Sequence, residues 1–128
     1  MKKRSCARFH IPGTTLYYRQ PSFFSLNRRF SVSYYPVANV SLGGARFLCN
    51  ERLKVGRRLD IKLAVPGHPD EIVIRAHVSW VARNREQSYQ YQTGIAFCSY
   101  GKKKSENPEA VLSFLKALET QVLDSESD

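Results

Sequence analysis

Two arginines near the start of the sequence have the chemistry and spacing of a ligand-binding pair. Arg4 and Arg8 are separated by three residues in the segment RSCAR. A guanidinium group can donate two parallel hydrogen bonds to a phosphate or to the O6 and N7 edge of guanine, and its plane can stack on a base. RxxxR is a common spacing in an arginine-rich chain, so the pair indicates a site only if a second motif accompanies it.

The segment NVSLGG, at residues 39–44, is that second motif. Asn39 and Ser41 are one residue apart, so on an extended segment both side chains point to the same face. Gly43 and Gly44 allow a positive φ or the close approach of another molecule. The same residue types also form plain turns, and the motif alone leaves that interpretation open. Because NxSxxG is much rarer by chance than RxxxR, finding both ahead of a strand pattern favours a binding site.

The charge of the chain is unevenly distributed. The sequence holds 20 basic and 11 acidic residues, a net charge of +9. Residues 106–128 contain six acids and one base, a net charge of −5, which leaves +14 on residues 1–105. Such an excess favours phosphate-bearing partners such as nucleic acid, nucleotides or lipid headgroups, although part of it also fits a solvated basic surface.

Length and composition predict one soluble domain in the cytoplasm. The chain has 128 residues, of which 42% are hydrophobic, and no apolar run approaches a membrane span. The basic start is followed by CARFHIPG and not by the apolar stretch of an export signal. Cys6, Cys49 and Cys98 are widely spaced, which is typical of reduced thiols. With no catalytic or metal-binding motif in the sequence, we expect no enzymatic activity, no metal and no cofactor.

A hydrophobic period of two runs through most of the chain and predicts a small antiparallel β-barrel or sandwich. In RRLDIKLAV, for example, apolar residues alternate with charged ones. In the long segment EIVIRAHVSWVAR, Trp80 is in phase with Ile72, Ile74 and Val78, which predicts that it packs in the core. The predicted strands are 14–20, 29–37, 44–50, 57–65, 71–83 and 92–100.

The end of the chain has the pattern of an amphipathic helix that closes one end of the barrel. Asn107 is a suitable N-cap, Pro108 fits the first helical position, and Glu109 suits the positive end of the helix dipole. An apolar stripe follows at spacings of three and four. The predicted organisation is a single domain over 1–128, with a flexible arginine arm at 1–12, a barrel at 13–100, a helix at 106–123 and a tail at 124–128. The stripe consists of Val111, Phe114, Leu115, Leu118 and Val122.

Together these features resemble the PilZ domain, the bacterial receptor for the second messenger cyclic di-GMP. That family carries RxxxR near its start and (D/N)xSxxG further along, and this sequence matches both motifs. The segments VGRRLDIKLAV, AHVSWV and TGIAF resemble the later barrel strands, and the resemblance covers roughly residues 2–100. It implies a mainly β fold, a six-stranded antiparallel β-barrel with a C-terminal α-helix.

The resemblance also implies roles for individual residues. Arg4 and Arg8 would hold phosphates and guanine Hoogsteen edges, and Asn39 would accept from guanine N–H groups. Ser41 would hydrogen-bond to guanine or phosphate, while Gly44 keeps the floor of the site clear of a Cβ. The predicted ligand-binding residues are Arg4, Arg8, Asn39, Ser41 and Gly44, with Lys3 and Gly43 as accessory contacts.

Two departures from the simplest form of this site are present. Asn39 stands where many relatives have Asp, which removes a charge near the guanine. Arg28 and Arg29 form a second basic pair, which we interpret as solvent-facing because charge pairs at loop–strand junctions usually are.

Three functions are consistent with the sequence. The first is a cyclic di-GMP receptor and adaptor whose arginine arm changes conformation on binding and signals to a downstream protein. The second is a small basic barrel that binds single-stranded nucleic acid. The third is a PilZ-like module that binds only protein. The sequence favours the first and leaves the downstream partner, the ligand stoichiometry and the oligomeric state open.

Overall fold

The fold is a closed antiparallel β-barrel with one helix at its end. A computed structural model describes residues 8–21, 30–31, 33–85 and 88–126, without the side chains of 124–126. The elements are β1 Thr15–Arg19, β2 Tyr35–Val40, β3 Gly44–Cys49, β4 Arg58–Ala64, β5 Ile72–Arg83, β6 Tyr91–Phe97 and α1 Glu109–Glu126. The strands close in the order β1-β2-β3-β6-β5-β4, and every pair is antiparallel. This confirms the predicted six-stranded barrel with a C-terminal helix.

The core fills the barrel and continues under the helix. In β4, Leu59, Ile61 and Leu63 are buried, as the period-two pattern predicts. The apolar stripe of α1 covers the end of the barrel at which the β4–β5 turn lies, and His68 of that turn contacts the ring of Phe114 edge-on. Nowhere in the described part of the chain does a helix combine the length and the apolar character needed to cross a bilayer. The helix residues that are fully buried in the core are Val111, Leu115 and Leu118.

The ends of several elements differ from the sequence prediction. Strand β2 was predicted at 29–37 but lies at 35–40, and it continues past Val37 with a shift in its register against β3 between Val37 and Asn39. Such a β-bulge breaks the period-two pattern from which a strand is recognised. The last strand ends at Phe97 and not at residue 100. The helix spans 109–126 and not 106–123, so it includes the first residues of the predicted tail.

Asn107 does not cap the helix in the way that the sequence suggests, because its side chain is engaged by the sheet. It is fully buried, and its Oδ1 accepts from the backbone N–H of Arg75 at 2.7 Å. Its Nδ2 donates to the backbone oxygens of Arg75 at 2.9 Å and Cys98 at 3.0 Å. The amide therefore connects the start of the helical segment to β5 and to the chain that leaves β6.

At the opposite end of the barrel, a tyrosine and a cysteine converge on Glu51. The Tyr18 hydroxyl donates to Glu51 Oε1 at 2.6 Å, and Cys49 Sγ donates to the Glu51 backbone oxygen at 3.2 Å. Burial raises the pKa of Tyr18, and the bond to the Glu51 carboxylate raises it further. Burial also raises the pKa of Cys49. Both groups therefore stay protonated donors at neutral pH.

Replacement of Asn107 by Ala should lower the free energy of unfolding by about 2–4 kcal/mol, because it removes three hydrogen bonds to the backbone. The Arg75 N–H and the Cys98 oxygen then lack this partner, while the Arg75 oxygen keeps its bond from the Cys98 N–H. Urea unfolding followed by circular dichroism measures this change. The matched control is Asn50→Ala, which removes one exposed side-chain bond to Gln90 and should cost less than about 1 kcal/mol. Equal losses in the two variants would contradict the role of Asn107.

Candidate functional site

A pocket opens on the outside of the barrel beside the β2–β3 turn. Its volume is about 250 Å³, and β2, β3, β5, β6 and the segment before β1 contribute its walls. Five of the predicted ligand-binding and accessory residues line it. Arg4 and Lys3 lie outside the described residues, as do Arg28 and Arg29. The residues that line the pocket are Arg8, Asn39, Ser41, Gly43, Gly44, Ala45, Arg46, Ser79, Trp80, Gly94, Ile95 and Ala96.

The centre of the pocket is a single row of residues that crosses four strands. Asn39 on β2 pairs with Arg46 on β3, Arg46 pairs with Gly94 on β6, and Gly94 pairs with Trp80 on β5. Directly paired residues of neighbouring strands lie on the same face of the sheet. The pairing therefore places an amide, a guanidinium and an indole beside one another, with a glycine between the last two.

Ser41 and Gly44 close the β2–β3 turn at the edge of the pocket. The Ser41 N–H donates to Gly44 O at 2.8 Å, and its hydroxyl accepts from the N–H groups of Gly43 and Gly44, each at 3.1 Å. Neither glycine has a positive φ. Glycine is required at position 44 because β6 approaches closely, and a Cβ there would collide with the backbone oxygen of Ile95. The NxSxxG motif thus shapes this hairpin as well as the pocket wall.

Arg8 reaches the pocket because the residue after it is anchored. Phe9 is buried, and it exchanges two backbone hydrogen bonds of 2.8 Å with Val40 at the end of β2. His10 Nδ1 donates to the Ala38 oxygen at 2.8 Å. The flexible arm predicted over 1–12 thus differs from the structure at Phe9, whose ring belongs to the core. The Arg8 side chain itself is exposed.

Trp80 lines the pocket, so the prediction that it packs in the core is wrong. The register of β5 against β6 shifts between Val78 and Trp80, and this bulge moves the indole to the outer face, where 39% of it is exposed. The ring lies against Gly94, where a Cβ would collide with Nε1, Cε2 and Cδ1. An interior glycine in a strand often marks such a close approach, so Gly94 was the sequence feature that indicated this contact.

Arg46 and Ser79 also line the pocket, although neither belongs to the two sequence motifs. Arg46 is half-buried, and its Nη1 donates to Gln92 Oε1 at 2.9 Å. The alternation of GARFLC already places Arg46 on the same face as Gly44, since Ala45 and Phe47 point inward. That alternation was the available indication of a third arginine in the site.

The described lining of the pocket is rich in hydrogen-bond donors and contains no acid. Arg8 and Arg46 contribute two positive charges, and the Asn39 amide, the Ser79 hydroxyl and the Trp80 indole contribute neutral donors. No carboxylate is among the described residues that line it. A ligand that complements this wall carries negative charge and several acceptors, and its planar part can pack on the indole.

The chain is thus a small closed β-barrel domain with a donor-rich pocket on its wall. The model of the PilZ domain family matches residues 2–109. The chain therefore belongs to the PilZ domain family, which confirms the resemblance seen in the sequence. Comparison with curated protein sequences gives no match.

Solved structures with the same fold include MotI/DgrA, the inhibitor of motility of Bacillus subtilis, with 13% identity and a TM-score of 0.61 over 97% of this chain and 53% of that one. The K. pneumonia MrkH–c-di-GMP complex has 18% identity and a TM-score of 0.68 over 99% of this chain and 56% of that one. A further MrkH structure, described as a c-di-GMP-dependent transcription regulatory factor, has 19% identity and a TM-score of 0.61 over 94% and 52%. The chain spans about half the length of these proteins, and at these identities they show the fold alone.

Replacement of Gly94 by Ala should displace Trp80 from the pocket wall. Trp80 is the only tryptophan of the chain, so its emission should shift to longer wavelength, and the overpacking should cost about 1–3 kcal/mol of unfolding free energy. Fluorescence spectra and urea unfolding measure both effects. In the control Gly56→Ala, the added Cβ meets no atom within 4 Å, but φ is +88°. It should cost about 1 kcal/mol through backbone strain and leave the emission unchanged. An unshifted spectrum for Gly94→Ala would contradict the packing of the indole on Gly94.

Proposed function

We propose that this chain is a receptor for cyclic di-GMP, that it binds the ligand in the pocket beside the β2–β3 turn, and that it has no enzymatic activity of its own. The observation that carries the proposal is the convergence of Arg8 with Asn39, Ser41 and Gly44 in a pocket whose described lining contains no acid. The PilZ family match and the structural likeness to MrkH, which was solved with c-di-GMP, support the same ligand.

The chemistry of the ligand fits the donors of the pocket. Cyclic di-GMP has two phosphates and two guanines, and the O6 and N7 atoms of each guanine are acceptors. Arg8, together with Arg4 of the same motif, would donate to phosphate oxygens and to these guanine edges. Asn39 would accept from guanine N–H groups through its amide oxygen. The indole of Trp80 offers a flat surface for a base.

Ser41 has a narrower role in this proposal than the motif alone suggests. Its hydroxyl oxygen already accepts two backbone N–H groups of the turn. Its hydroxyl proton is in a long bond of 3.4 Å to the Gly44 backbone oxygen, so a guanine or phosphate acceptor would take the proton from that bond. Gly43 and Gly44 would contribute because they have no side chains that obstruct the ligand at the edge of the pocket.

The signal would leave the domain through the segment that carries the arginine motif. Phe9 is fixed beside Val40, which anchors Arg8 at the rim of the pocket. A ligand held by Arg4 and Arg8 would change the conformation of this segment, and a downstream protein would recognise the changed surface. We place this signalling in a bacterial cytoplasm, where the second messenger is found.

Single-stranded nucleic acid is a second candidate ligand, favoured by a groove at the far end of the barrel. Tyr17, Tyr34, Tyr35 and Tyr89 line this groove, and Tyr34 is 60% exposed. Lys62 lies 5.8 Å from the centre of the Tyr17 ring. Aromatic rings with nearby cations are the surface on which successive bases stack. Oligonucleotide binding is therefore tested beside cyclic di-GMP.

Cyclic di-GMP titrated into the wild-type protein should give saturable heat and should change the emission of Trp80. Arg8→Ala should weaken binding by about tenfold or more, because a charge-assisted, bidentate contact is lost. The control Arg58→Ala removes the same charge from an exposed site outside the pocket and should change the affinity by less than about twofold. GTP and a short oligonucleotide are titrated alongside.

Absence of binding by the folded wild-type protein would overturn the receptor proposal. Salt-sensitive binding of the oligonucleotide in its place would support the second candidate. A folded protein that binds neither ligand would point to a module that binds only protein.

A further inference from the structure

The guanidinium of Arg46 has more donors than its protein partners use. The group carries five N–H donors, and its hydrogen bond within the described residues is the one from Nη1 to Gln92 Oε1 at 2.9 Å. It forms no ion pair with any acid in that part of the chain. A half-buried cation is stabilised when an anion or several acceptors meet its free donors. In this pocket, the space that Arg46 lines is where such acceptors would sit.

Gln92 holds the guanidinium from one side and is itself held in a defined orientation. Arginine can only donate, so the oxygen of the Gln92 amide must face it. The amide nitrogen then faces the other way, where Nε2 donates to Asn84 Oδ1 at 3.3 Å. Gln92 is two residues from Gly94 on β6, so it is the diagonal neighbour of Arg46 across the β3–β6 pair.

Asn84 completes a chain of hydrogen bonds that runs in one direction. Its Nδ2 donates to the Tyr89 backbone oxygen at 2.9 Å, and its backbone N–H donates to Gln90 O at 2.8 Å. Arg46 therefore donates to Gln92, Gln92 to Asn84, and Asn84 to the backbone of the β5–β6 hairpin. Each link fixes the amide orientation of the next, and bonds aligned in this way strengthen one another.

The pairing of the strands places Arg46 where a bound base would meet it. Gly94 separates Arg46 from Trp80 in the row across the pocket, and the Trp80 indole lies over Gly94, so its ring is turned toward the Arg46 side. A planar base against the indole would present its acceptor edge, or the phosphate attached to it, to the guanidinium. The orientation of the guanidinium then decides whether two parallel hydrogen bonds can form.

We infer that Arg46 is a third ligand-binding arginine of this pocket, and that Gln92 and Asn84 are positioning residues which hold its guanidinium ready for paired acceptors of the ligand. The inference rests on the proposed function, since it concerns the same ligand. It adds a cation that lies outside both sequence motifs and a set of amides that touch no ligand themselves.

The test is a double-mutant cycle on cyclic di-GMP affinity, measured by calorimetry on the full chain. Arg46→Ala should weaken binding by about tenfold or more, and Arg46→Lys should recover only part of this loss, since lysine lacks the fork. Gln92→Ala should weaken binding by about threefold to tenfold. In the Arg46→Ala background, Gln92→Ala should have no further effect, because its contribution passes through Arg46.

Thermal unfolding of each variant shows whether the fold is intact, and Arg58→Ala again controls for net charge. If the wild type binds but Arg46→Ala and Arg46→Lys bind within about twofold of it, Arg46 is not a ligand contact and the inference is wrong. If Gln92→Ala weakens the wild type and the Arg46→Ala variant equally, the positioning role is wrong. If the wild type itself binds no cyclic di-GMP, the proposed function fails first and the inference falls with it.

Discussion

Two β-bulges set the geometry on which the rest of the site depends. A six-stranded sheet closes on itself only if its strands bend and twist strongly, and bulges supply that curvature. One bulge lies between Val37 and Asn39, and the other lies between Val78 and Trp80. They flank the β3–β6 pair on its two sides. The residue that follows each bulge is an end of the row that crosses the pocket, so the curvature that closes the barrel also aims Asn39 and Trp80 outward.

The same dependence explains which features the sequence predicts and which it does not. In β4 and in α1 the apolar period is unbroken, and the buried residues follow from it directly. The end of β2 beyond Val37 and the side of the sheet on which Trp80 lies were predicted wrongly, because a bulge leaves no mark in the residue types that precede it. The burial of Asn107 was also missed. An Asn just before a helix can cap the N–H groups of the first helical turn, or its amide can bond to a neighbouring sheet. The sequence is the same in both cases.

The residues of the candidate site also fall into a group that the sequence predicts and a group that it does not. The two motifs predicted Arg8, Asn39, Ser41, Gly43 and Gly44, and all five line the pocket. The contact between Arg46 and Gln92 could not be predicted from the sequence, because it depends on the register between β3 and β6, which are distant in the sequence. Register follows from the buried faces of both strands together. The second motif also stabilises the fold, since the Ser41 hydroxyl hydrogen-bonds to the backbone of the turn and Gly44 allows β6 to pack closely. Variants at Ser41 and Gly44 would therefore change the stability of the fold as well as any ligand affinity, whereas the exposed side chain of Arg8 can be replaced without disturbing the turn.

The chain of amides behind Arg46 couples the pocket to the rigidity of a distant hairpin. The amides end on Tyr89 and Gln90, and the Tyr89 ring stands edge-on to Tyr35 at the opposite end of the barrel. An occupied pocket that immobilises Arg46 would also restrict Gln92 and Asn84, and the conformational entropy lost there opposes binding. A hairpin that is already stiff has less entropy to lose. In the proposed receptor, the affinity for cyclic di-GMP would therefore depend partly on the stiffness of a hairpin at the far end of the barrel.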